Sequence, residues 1–446
     1  MIDSVKLPPL KSCFLLIFLL ILISCSDNEQ FFDGGSGTEA NPYQISTVEQ
    51  LQEIGEEENL EMHFIQVADI DATESFEMQN GSGFQPIGTR EQPFTGSYNG
   101  NGHTISSLFI HNQRSDTNNA TGFFGYVKNG LIENVTIDNV SPGWLKKNVD
   151  AEHFRNSAEL LEVHKNDVDL SSARGVGGLI GFNDGGIVRN CIYKGNTEGF
   201  ISQGVGGFAG VNNGLIENSH YTGDVSSGAA AGFAFTNAGQ IRNSSATGSV
   251  NGQTAGGFVQ YNYGEITYSY ADVNVIGSNG AAGFVRSNES GVIRSSFVKG
   301  STYGGHYVAG FVVNNSGEIR DVYATTDLEV VDYNDNRKIA GLVVTNEENG
   351  IIENSYFAGS VEISGNTSFT KAAIIENRGS VEPFYWDMER SDLNSAVAEG
   401  APDGATGLTT DQMTGPAAET NMPEFDWMNT WRTTEDGYPV LRWEQE

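Results

Sequence analysis

A repeated unit constrains this chain more than any other feature of its sequence. The unit reads Gly, an apolar residue, three variable residues and Asn, followed by a second Gly and a short apolar run. The leading Gly-apolar pairs lie 25 to 31 residues apart, at Gly178-Leu179, Gly207-Phe208, Gly232-Phe233, Gly257-Phe258, Gly283-Phe284, Gly310-Phe311 and Gly341-Leu342. Degenerate copies begin at Gly122-Phe123 and Ala373-Ile374, which brings the count to about nine. A period of this length indicates a solenoid of stacked coils.

An Asn lies five residues after the leading Gly in every central copy. The seven positions are Asn183, Asn212, Asn237, Asn262, Asn288, Asn315 and Asn346. Asn tolerates the left-handed backbone of tight turns, and its side chain can bond its own turn or the Asn one coil away. We therefore expect these residues to form a structural ladder along the stack.

The run after the second Gly alternates apolar and polar residues, as in a strand with one buried face. Its inward positions are Val188, Ile216, Ile241, Ile266, Ile293, Ile319 and Ile352. Two residues further lie positions whose direction the pattern leaves open and which can begin another turn: Asn190, Asn218, Asn243, Tyr268, Ser295, Asp321 and Asn354. The sequence predicts an all-β fold, a right-handed parallel β-helix of about nine coils. The alternative, a flat antiparallel sandwich, would show hairpin turns between paired runs instead of like residues in register.

The segments Gly177–Cys191 and Gly206–Ser219 resemble the GLUG repeat of bacterial surface proteins. That repeat occurs in large adhesins and in the N-terminal regions of immunoglobulin A peptidases, and the resemblance covers residues 31 to 445. It implies a β-helical architecture on a cell surface and says little about activity. The metallopeptidase activity of some repeat-bearing relatives is not carried over, because the sequence has no His-Glu-x-x-His motif.

The N-terminus has the features of a lipoprotein signal peptide, residues 1–24. Lys6 and Lys11 precede an apolar run too short to span a bilayer, and the run ends in the lipobox-like tetrapeptide Leu22–Cys25. The resemblance implies lipid attachment at Cys25. An ordinary secretory signal with a chance Cys is the alternative. The acidic stretch that follows resembles the surface-export signal of Bacteroidetes lipoproteins, so we expect a lipid-anchored, surface-exposed protein of the outer membrane.

Composition shifts divide the rest of the chain. We expect a flexible tether at 25–38, an N-terminal cap at 39–110 with a capping box at Ser46–Glu49, the repeat β-helix at 111–380 with a helical insertion at 141–174, and a C-terminal cap at 381–446. Four of the five Trp lie in that last segment, which predicts an aromatic plug over the open end of the helix. A sugar-binding aromatic platform is the functional alternative.

Charge and motifs exclude several functions. The formal net charge of −33 argues against nucleic acid as a partner. We predict no catalytic residues, no metal site and no cofactor, because the sequence has neither a nucleophile elbow nor a phosphate-binding loop and its seven His are scattered. Asp69 and Asp71 form the closest carboxylate pair and are more simply strand-end residues. Cys191 lies at an inward position and is expected to be an inert, buried thiol.

One row of aromatic residues, one per coil, falls on positions predicted to face outward: Tyr270, Phe297, Tyr323 and Tyr356. Exposed rings can stack on sugars or on a protein partner, and stacked rings can also simply stabilise the edge of the coils. The sequence therefore predicts an adhesin-like surface lipoprotein that binds a glycan or protein ligand through this face. The alternatives are a polysaccharide-capturing or polysaccharide-degrading protein and an inert structural spacer.

Overall fold

The structure, a computed structural model, describes residues 31–110, 120–139, 175–199, 204–331, 337–364 and 369–445. Cys25, the signal peptide and the predicted insertion at 141–174 lie outside these ranges. The described chain is a parallel β-helix, because nearly all of its strands pair with the equivalent strand of the next coil in the same direction. The all-β solenoid predicted from the repeat is confirmed.

Each coil of the repeat contains up to four short strands, and like strands stack into four ladders, which we call A to D. Ladder A contains β6 (Phe124–Lys128), β9 (Ile180–Asp184), β14 (Ala209–Asn212), β18 (Ala234–Asn237), β21 (Val259–Asn262), β24 (Val285–Asn288), β27 (Val312–Asn315), the second half of β30 (Arg337–Asn346) and of β34 (Phe369–Asn377), and β37 (Val397–Gly400).

Ladder B follows the corner after the buried Asn. It contains β1 (Tyr43–Ile45), β2 (His63–Gln66), β4 (Ser97–Asn99), β7 (Leu131–Glu133), β10 (Ile187–Arg189), β15 (Leu215–Glu217), β19 (Gln240–Arg242), β22 (Glu265–Thr267), the start of β25 (Val292–Gly304) and of β28 (Glu318–Ala324), β31 (Ile351–Glu353) and β35 (Ser380–Val381). The stack therefore extends in front of the nine predicted repeats, and part of the expected N-terminal cap belongs to the β-helix itself.

Ladders C and D complete the coil. Ladder C contains β3 (Ile70–Asp71), β5 (Thr104–Ser106), β8 (Thr136–Asp138), β11 (Ile192–Lys194), β12 (Thr197–Glu198), β16 (His220–Ser226), the long strands β20 (Ser245–Gly256) and β23 (Tyr270–Ala282), most of β25 and β28, β29 (Asp327–Val331), β32 (Ser355–Phe357), β33 (Val361–Ser364), β36 (Phe384–Asp387) and β38 (Ala405–Leu408). Ladder D contains β13 (Gly204–Gly206), β17 (Ala229–Ala231), the ends of β20 and β23, β26 (Tyr307–Ala309) and the starts of β30 and β34.

Short helices and one hairpin lie outside the ladders. They are α1 (Val48–Glu53), α2 (Met78–Gly81), α3 (Met388–Ser391), α4 (Thr410–Met413), α5 (Ala417–Asn421), the 3₁₀ turns Glu57–Asn59, Thr73–Glu77 and Arg442–Gln445, and the antiparallel pair β39 (Trp431–Arg432) and β40 (Val440–Leu441). Helix α1 is capped by Thr47 and Gln50, one residue later than the predicted capping box.

The interior is a continuous column of apolar side chains, which fills the lumen coil by coil. The apolar residue after the leading Gly contributes a stack of phenylalanine rings, Phe208 to Phe311, with centroids 4.8 to 4.9 Å apart. Repeated rings at the strand spacing bury a large apolar area in every coil, which compensates for the absence of a disulfide among the described residues.

At the start of the body, Phe32 is buried and stacks on Tyr43 with ring centroids 4.5 Å apart. Phe32 lies inside the segment predicted as a flexible tether. The packed body therefore begins before the boundary expected at residue 38, because an aromatic side chain in that Gly-rich stretch finds an apolar site on the first strand.

Candidate functional site

The seven predicted ladder asparagines lie directly above one another. Each Nδ2 donates to the Oδ1 of the Asn in the next coil at 2.8 to 2.9 Å, and the series continues to Asn377. All seven are completely buried. A continuous chain of side-chain hydrogen bonds inside the coil corner satisfies polar groups that would otherwise be buried without partners.

The left-handed corner residues are a different set from the one predicted. Positive φ angles of 46° to 55° occur at the positions whose direction the sequence left open: Asn190, Asn218, Asn243, Tyr268, Ser295, Asp321 and Asn354. The buried ladder residues do not adopt this conformation. The reason is that the sharp reversal of the chain lies between ladders B and C, whereas the corner before ladder B is held by side-chain hydrogen bonds.

The aromatic row lies on the outside of ladder C, as predicted, and its rings stack in register. Centroid distances are 5.0 Å from Tyr270 to Phe297, 4.8 Å from Phe297 to Tyr323 and 5.1 Å from Tyr323 to Tyr356, with nearly parallel planes. The expectation that this row is a free surface is wrong. Tyr323 and Tyr356 are 1% and 0% exposed, Phe297 is buried, and only Tyr270 keeps a partly open ring.

The cover is the C-terminal segment, residues 409–445. This segment folds back along the flank of the stack, and its apolar residues form one cluster with the row. Trp431 lies 5.7 Å from the Tyr356 ring, and Trp443 lies 5.7 Å from the Phe297 ring. The predicted plug over the open end of the helix is therefore corrected for Trp427, Trp431 and Trp443, which pack on the aromatic flank, whereas Trp386 lies in the interior column.

Specific hydrogen bonds fix the C-terminal segment in place. The Tyr356 hydroxyl donates to the Pro439 carbonyl at 2.6 Å, and the Tyr323 hydroxyl donates to the Glu444 carboxylate at 2.9 Å. The Trp443 indole N–H donates to the Ser295 carbonyl at 2.9 Å. These hydrogen bonds fix one alignment of the C-terminal segment along the stack, because a shift would leave a buried tyrosine hydroxyl without a partner and lower the stability of the fold.

A cleft of about 330 Å³ opens where the cover ends. Four of the residues that line the cleft lie on two adjacent strands of ladder C, where Tyr270 pairs with Phe297 and Asp272 pairs with Lys299. The other two lining residues, Trp443 and Glu444, belong to the C-terminal segment. The cleft therefore combines ring faces with charged groups, which is the pairing that sugar rings and their hydroxyls require. We call it the Tyr270 cleft.

Charges in the Tyr270 cleft are close together. The Lys299 ammonium lies 4.5 Å from the centre of the Phe297 ring and 3.9 Å from the Glu444 carboxylate. Burial raises the pKa of Glu444, and hydrogen bonds from Leu441 N–H and the Tyr323 hydroxyl oppose that rise. Glu444 is thus a carboxylate held partly out of water beside a cation.

Sequence reasoning found two residues of this cleft, Tyr270 and Phe297, and missed the other four. Lys299 and Asp272 follow those rings at i+2 on their strands and were available from strand periodicity. Trp443 and Glu444 come from a segment outside the repeat. The signal in the sequence that could have pointed to this segment is its high tryptophan content, together with a row of aromatic residues in the repeat that it could cover.

Other predicted chemical residues are structural in this fold. Cys191 is fully buried, and burial raises the pKa of its thiol to about 12. Asp69 accepts a hydrogen bond from Thr104 N–H, and Asp71 accepts hydrogen bonds from the hydroxyl and the N–H of Thr73. These bonds lower the pKa of both carboxyl groups, as in ordinary turns. Within the described ranges, no three His, Cys, Asp or Glu side chains gather as a metal site would need.

Segments of this chain are similar in sequence to segments of two known proteins. One is halomucin of Haloquadratum walsbyi, 40% identical over 114 residues, which are 24% of this chain and 1% of that protein. The other is a "putative Gly-rich membrane protein" of Evansella cellulosilytica, 35% identical over 127 residues, 28% of this chain and 14% of that protein. The chain thus spans a small part of either relative.

A solved structure of a "putative immunoglobulin A1 protease" from Bacteroides ovatus aligns over 92% of this chain and 95% of that chain, with 17% identity and a TM-score of 0.38. A similarity at that level indicates nothing about activity. No family model matches the chain, so the GLUG resemblance rests on the repeat residues themselves. In the part of the chain that the structure describes, no helix is long and apolar enough to span a membrane.

Proposed function

We propose that this protein is a lipid-anchored surface protein that binds glycans in the Tyr270 cleft. The observation that carries the proposal is the cleft itself, where the partly open rings of Tyr270 and Trp443 lie beside Asp272, Lys299 and Glu444. A pyranose ring presents one apolar face and several hydroxyls. It would stack on Tyr270 or Trp443 and exchange hydrogen bonds with the charged groups.

The anchoring part of the proposal rests on the N-terminal sequence. A lipid at Cys25 would hold the solenoid at the outer membrane, with the acidic residues after it directing the chain to the outer face. The relative named as a membrane protein is consistent with this placement. The test is metabolic labelling with a fatty acid analogue, with Cys25→Ala as the variant that should lose the label.

The binding test uses the chain from residue 26 on a glycan array. We expect at least one glycan class to bind and Tyr270→Ala to weaken that binding by roughly tenfold or more, on the scale of the roughly 1–3 kcal/mol that one aromatic ring contributes when a nucleobase stacks on it. Met428→Ala is the matched control, because Met428 is an 82% exposed apolar side chain that does not line the cleft. An array without any specific binding would favour the inert spacer.

One observation favours a polysaccharide-degrading alternative: Glu444, whose pKa burial raises, shares the cleft with a second carboxylate, Asp272. Glycoside hydrolysis uses one carboxylic acid and one carboxylate across the scissile bond. Release of reducing sugar from a bound polysaccharide, abolished by Glu444→Gln, would establish this activity. Binding without release would leave glycan capture as the function.

A further inference from the structure

A second site candidate lies on ladder A, outside the Tyr270 cleft. The second residue of each ladder A strand points outward into the corner between ladders A and D. In five adjacent coils this column reads Phe235, Gln260, Arg286, Val313 and Val344. Val313 and Val344 are fully buried in a small apolar cluster that fills the same corner further along the stack. Gln260 and Arg286 are thus polar residues at a position that neighbouring coils fill with apolar side chains.

Among the described residues, no carboxylate is in contact with Arg286, and Glu289 acts on its charge only from a distance. The Nε of Arg286 is buried and has no hydrogen-bond partner in the part of the chain that the structure describes. Gln260 lies one coil away, and its buried Oε1 also has no hydrogen-bond partner among the described residues. The amide nitrogen of Gln260 donates to the Thr254 hydroxyl at 2.8 Å. Two adjacent coils therefore hold unsatisfied polar atoms, an arrangement that costs stability in the free protein.

The surroundings of Arg286 are aromatic. The hydroxyls of Tyr261 and Tyr307 and the carboxylate of Glu289 are close enough to interact with its charge, and Tyr307 is 40% exposed. Gly280, which pairs with Tyr307, lies against the guanidinium; a Cβ at Gly280 would come within 2.9 Å of Nε. The missing side chain makes room for Arg286. Arg286 as a whole is only half-buried, so its guanidinium remains accessible to a ligand.

We propose that Arg286 binds the carboxylate of an acidic sugar, with Tyr261 and Tyr307 flanking the sugar ring. Guanidinium groups hold carboxylates through paired, charge-assisted hydrogen bonds, and such bonds are strongest where water is excluded. The ligand carboxylate would contact the guanidinium directly, which Glu289 does not, and this would account for an Arg at a position that is Gln260 in one adjacent coil and Val313 in the other. This site uses none of the residues of the Tyr270 cleft, so the two proposals stand or fall separately.

Calorimetric titration of the chain from residue 26 tests the proposal. The probes are tri-galacturonate, neutral maltotriose and sodium sulfate, all at one ionic strength, because the net charge of −33 repels any anion in a salt-dependent way. We expect tri-galacturonate to bind and maltotriose to leave this site empty. Arg286→Met should weaken the affinity for tri-galacturonate roughly 10- to 100-fold, because it removes one or two charge-assisted hydrogen bonds. Arg294→Gln is the matched control, since Arg294 is a surface Arg already paired with Glu318.

Thermal unfolding of the same variants separates binding from a structural role. If Arg286 serves a ligand, Arg286→Met should melt at the same temperature as the wild type or higher, because it removes an unpaired buried charge. A lower melting temperature combined with unchanged tri-galacturonate affinity would overturn the proposal. Equal affinity for sulfate and tri-galacturonate would overturn the sugar part of it. Should Arg286→Met fail to fold, Arg286→Lys decides, since Lys keeps the charge and loses the paired geometry.

Discussion

Replacing Asn262 by Ala tests how much the buried asparagine ladder contributes to the stack. Asn262 lies in the middle of the ladder, where its Oδ1 accepts from Asn237 Nδ2 at 2.9 Å and its Nδ2 donates to Asn288 Oδ1 at 2.8 Å. It also donates to the Gly264 carbonyl at 3.3 Å. The substitution therefore breaks contacts to the coil below, the coil above and its own turn.

The expected cost follows from the groups left behind. Asn288 Oδ1 keeps no donor from the ladder, and Asn237 Nδ2 keeps only the Glu265 carbonyl at 3.3 Å. Each buried polar group without a partner costs roughly 1–3 kcal/mol, and the missing side chain adds a small cavity. We expect Asn262→Ala to lower the free energy of unfolding by about 3–5 kcal/mol, or to uncouple the coils on its two sides, because neighbouring coils carry the stability of a solenoid.

Urea unfolding followed by far-ultraviolet circular dichroism measures this loss, and a second transition would report the uncoupling. The matched control is Asn213→Ala, since Asn213 is exposed and bonds only Asp184 at 3.2 Å among side chains. That variant should change the free energy of unfolding by less than about 1 kcal/mol. If the two variants lose the same amount, the ladder contributes no more than a surface Asn and the reasoning is refuted.

Three further predictions concern the flank and the thiol. Trp431→Ala should lower the free energy of unfolding by about 3–5 kcal/mol and increase binding of a hydrophobic dye, because it opens the cover of the aromatic row; Met428→Ala should do neither. The pKa of Glu444 is higher in the folded than in the unfolded chain, so its contribution to stability is full below about pH 4.5 and is lost as the pH rises through the folded value. Glu444→Gln should therefore reduce the fall in melting temperature between pH 4.5 and pH 8, and an unchanged pH profile would contradict this. In a chain beginning at residue 26, the Cys191 thiol should resist a thiol reagent at pH 8 until the protein unfolds, because its pKa is raised to about 12; reaction at the rate of a free thiol would show that the coil is open.

The repeat made the coil stack predictable because its period fixes the register of every strand. Once Asn212 lies above Asn183, the apolar positions of ladder B and the aromatic row of ladder C follow by alternation. Sequence periodicity also distinguishes inward from outward positions. It does not show what covers an outward position, and that is where the expectation for Tyr323 failed.

The path of the C-terminal segment could not be derived from the repeat. Its residues occur once, so no register constrains them, and their position is decided by tertiary contacts such as Trp431 against Tyr356. The position of the left-handed corner could not be predicted from the repeat either, because Asn is favourable both in a left-handed turn and in a buried side-chain ladder. In this chain Asn190 adopts the left-handed turn, and Asn183 belongs to the ladder. Residue type alone does not separate the two roles.

The C-terminal segment forms one wall of the Tyr270 cleft and covers the rest of the aromatic row. The direct measurement is the affinity of the best array glycan for the full chain from residue 26 and for a chain that ends at residue 408, with circular dichroism as the check that the shorter chain keeps its strands. Removal of Trp443 and Glu444 should weaken binding at least tenfold, although it uncovers Phe297, Tyr323 and Tyr356. Tighter binding by the shorter chain would mean that the whole aromatic row is the binding face and would contradict the account.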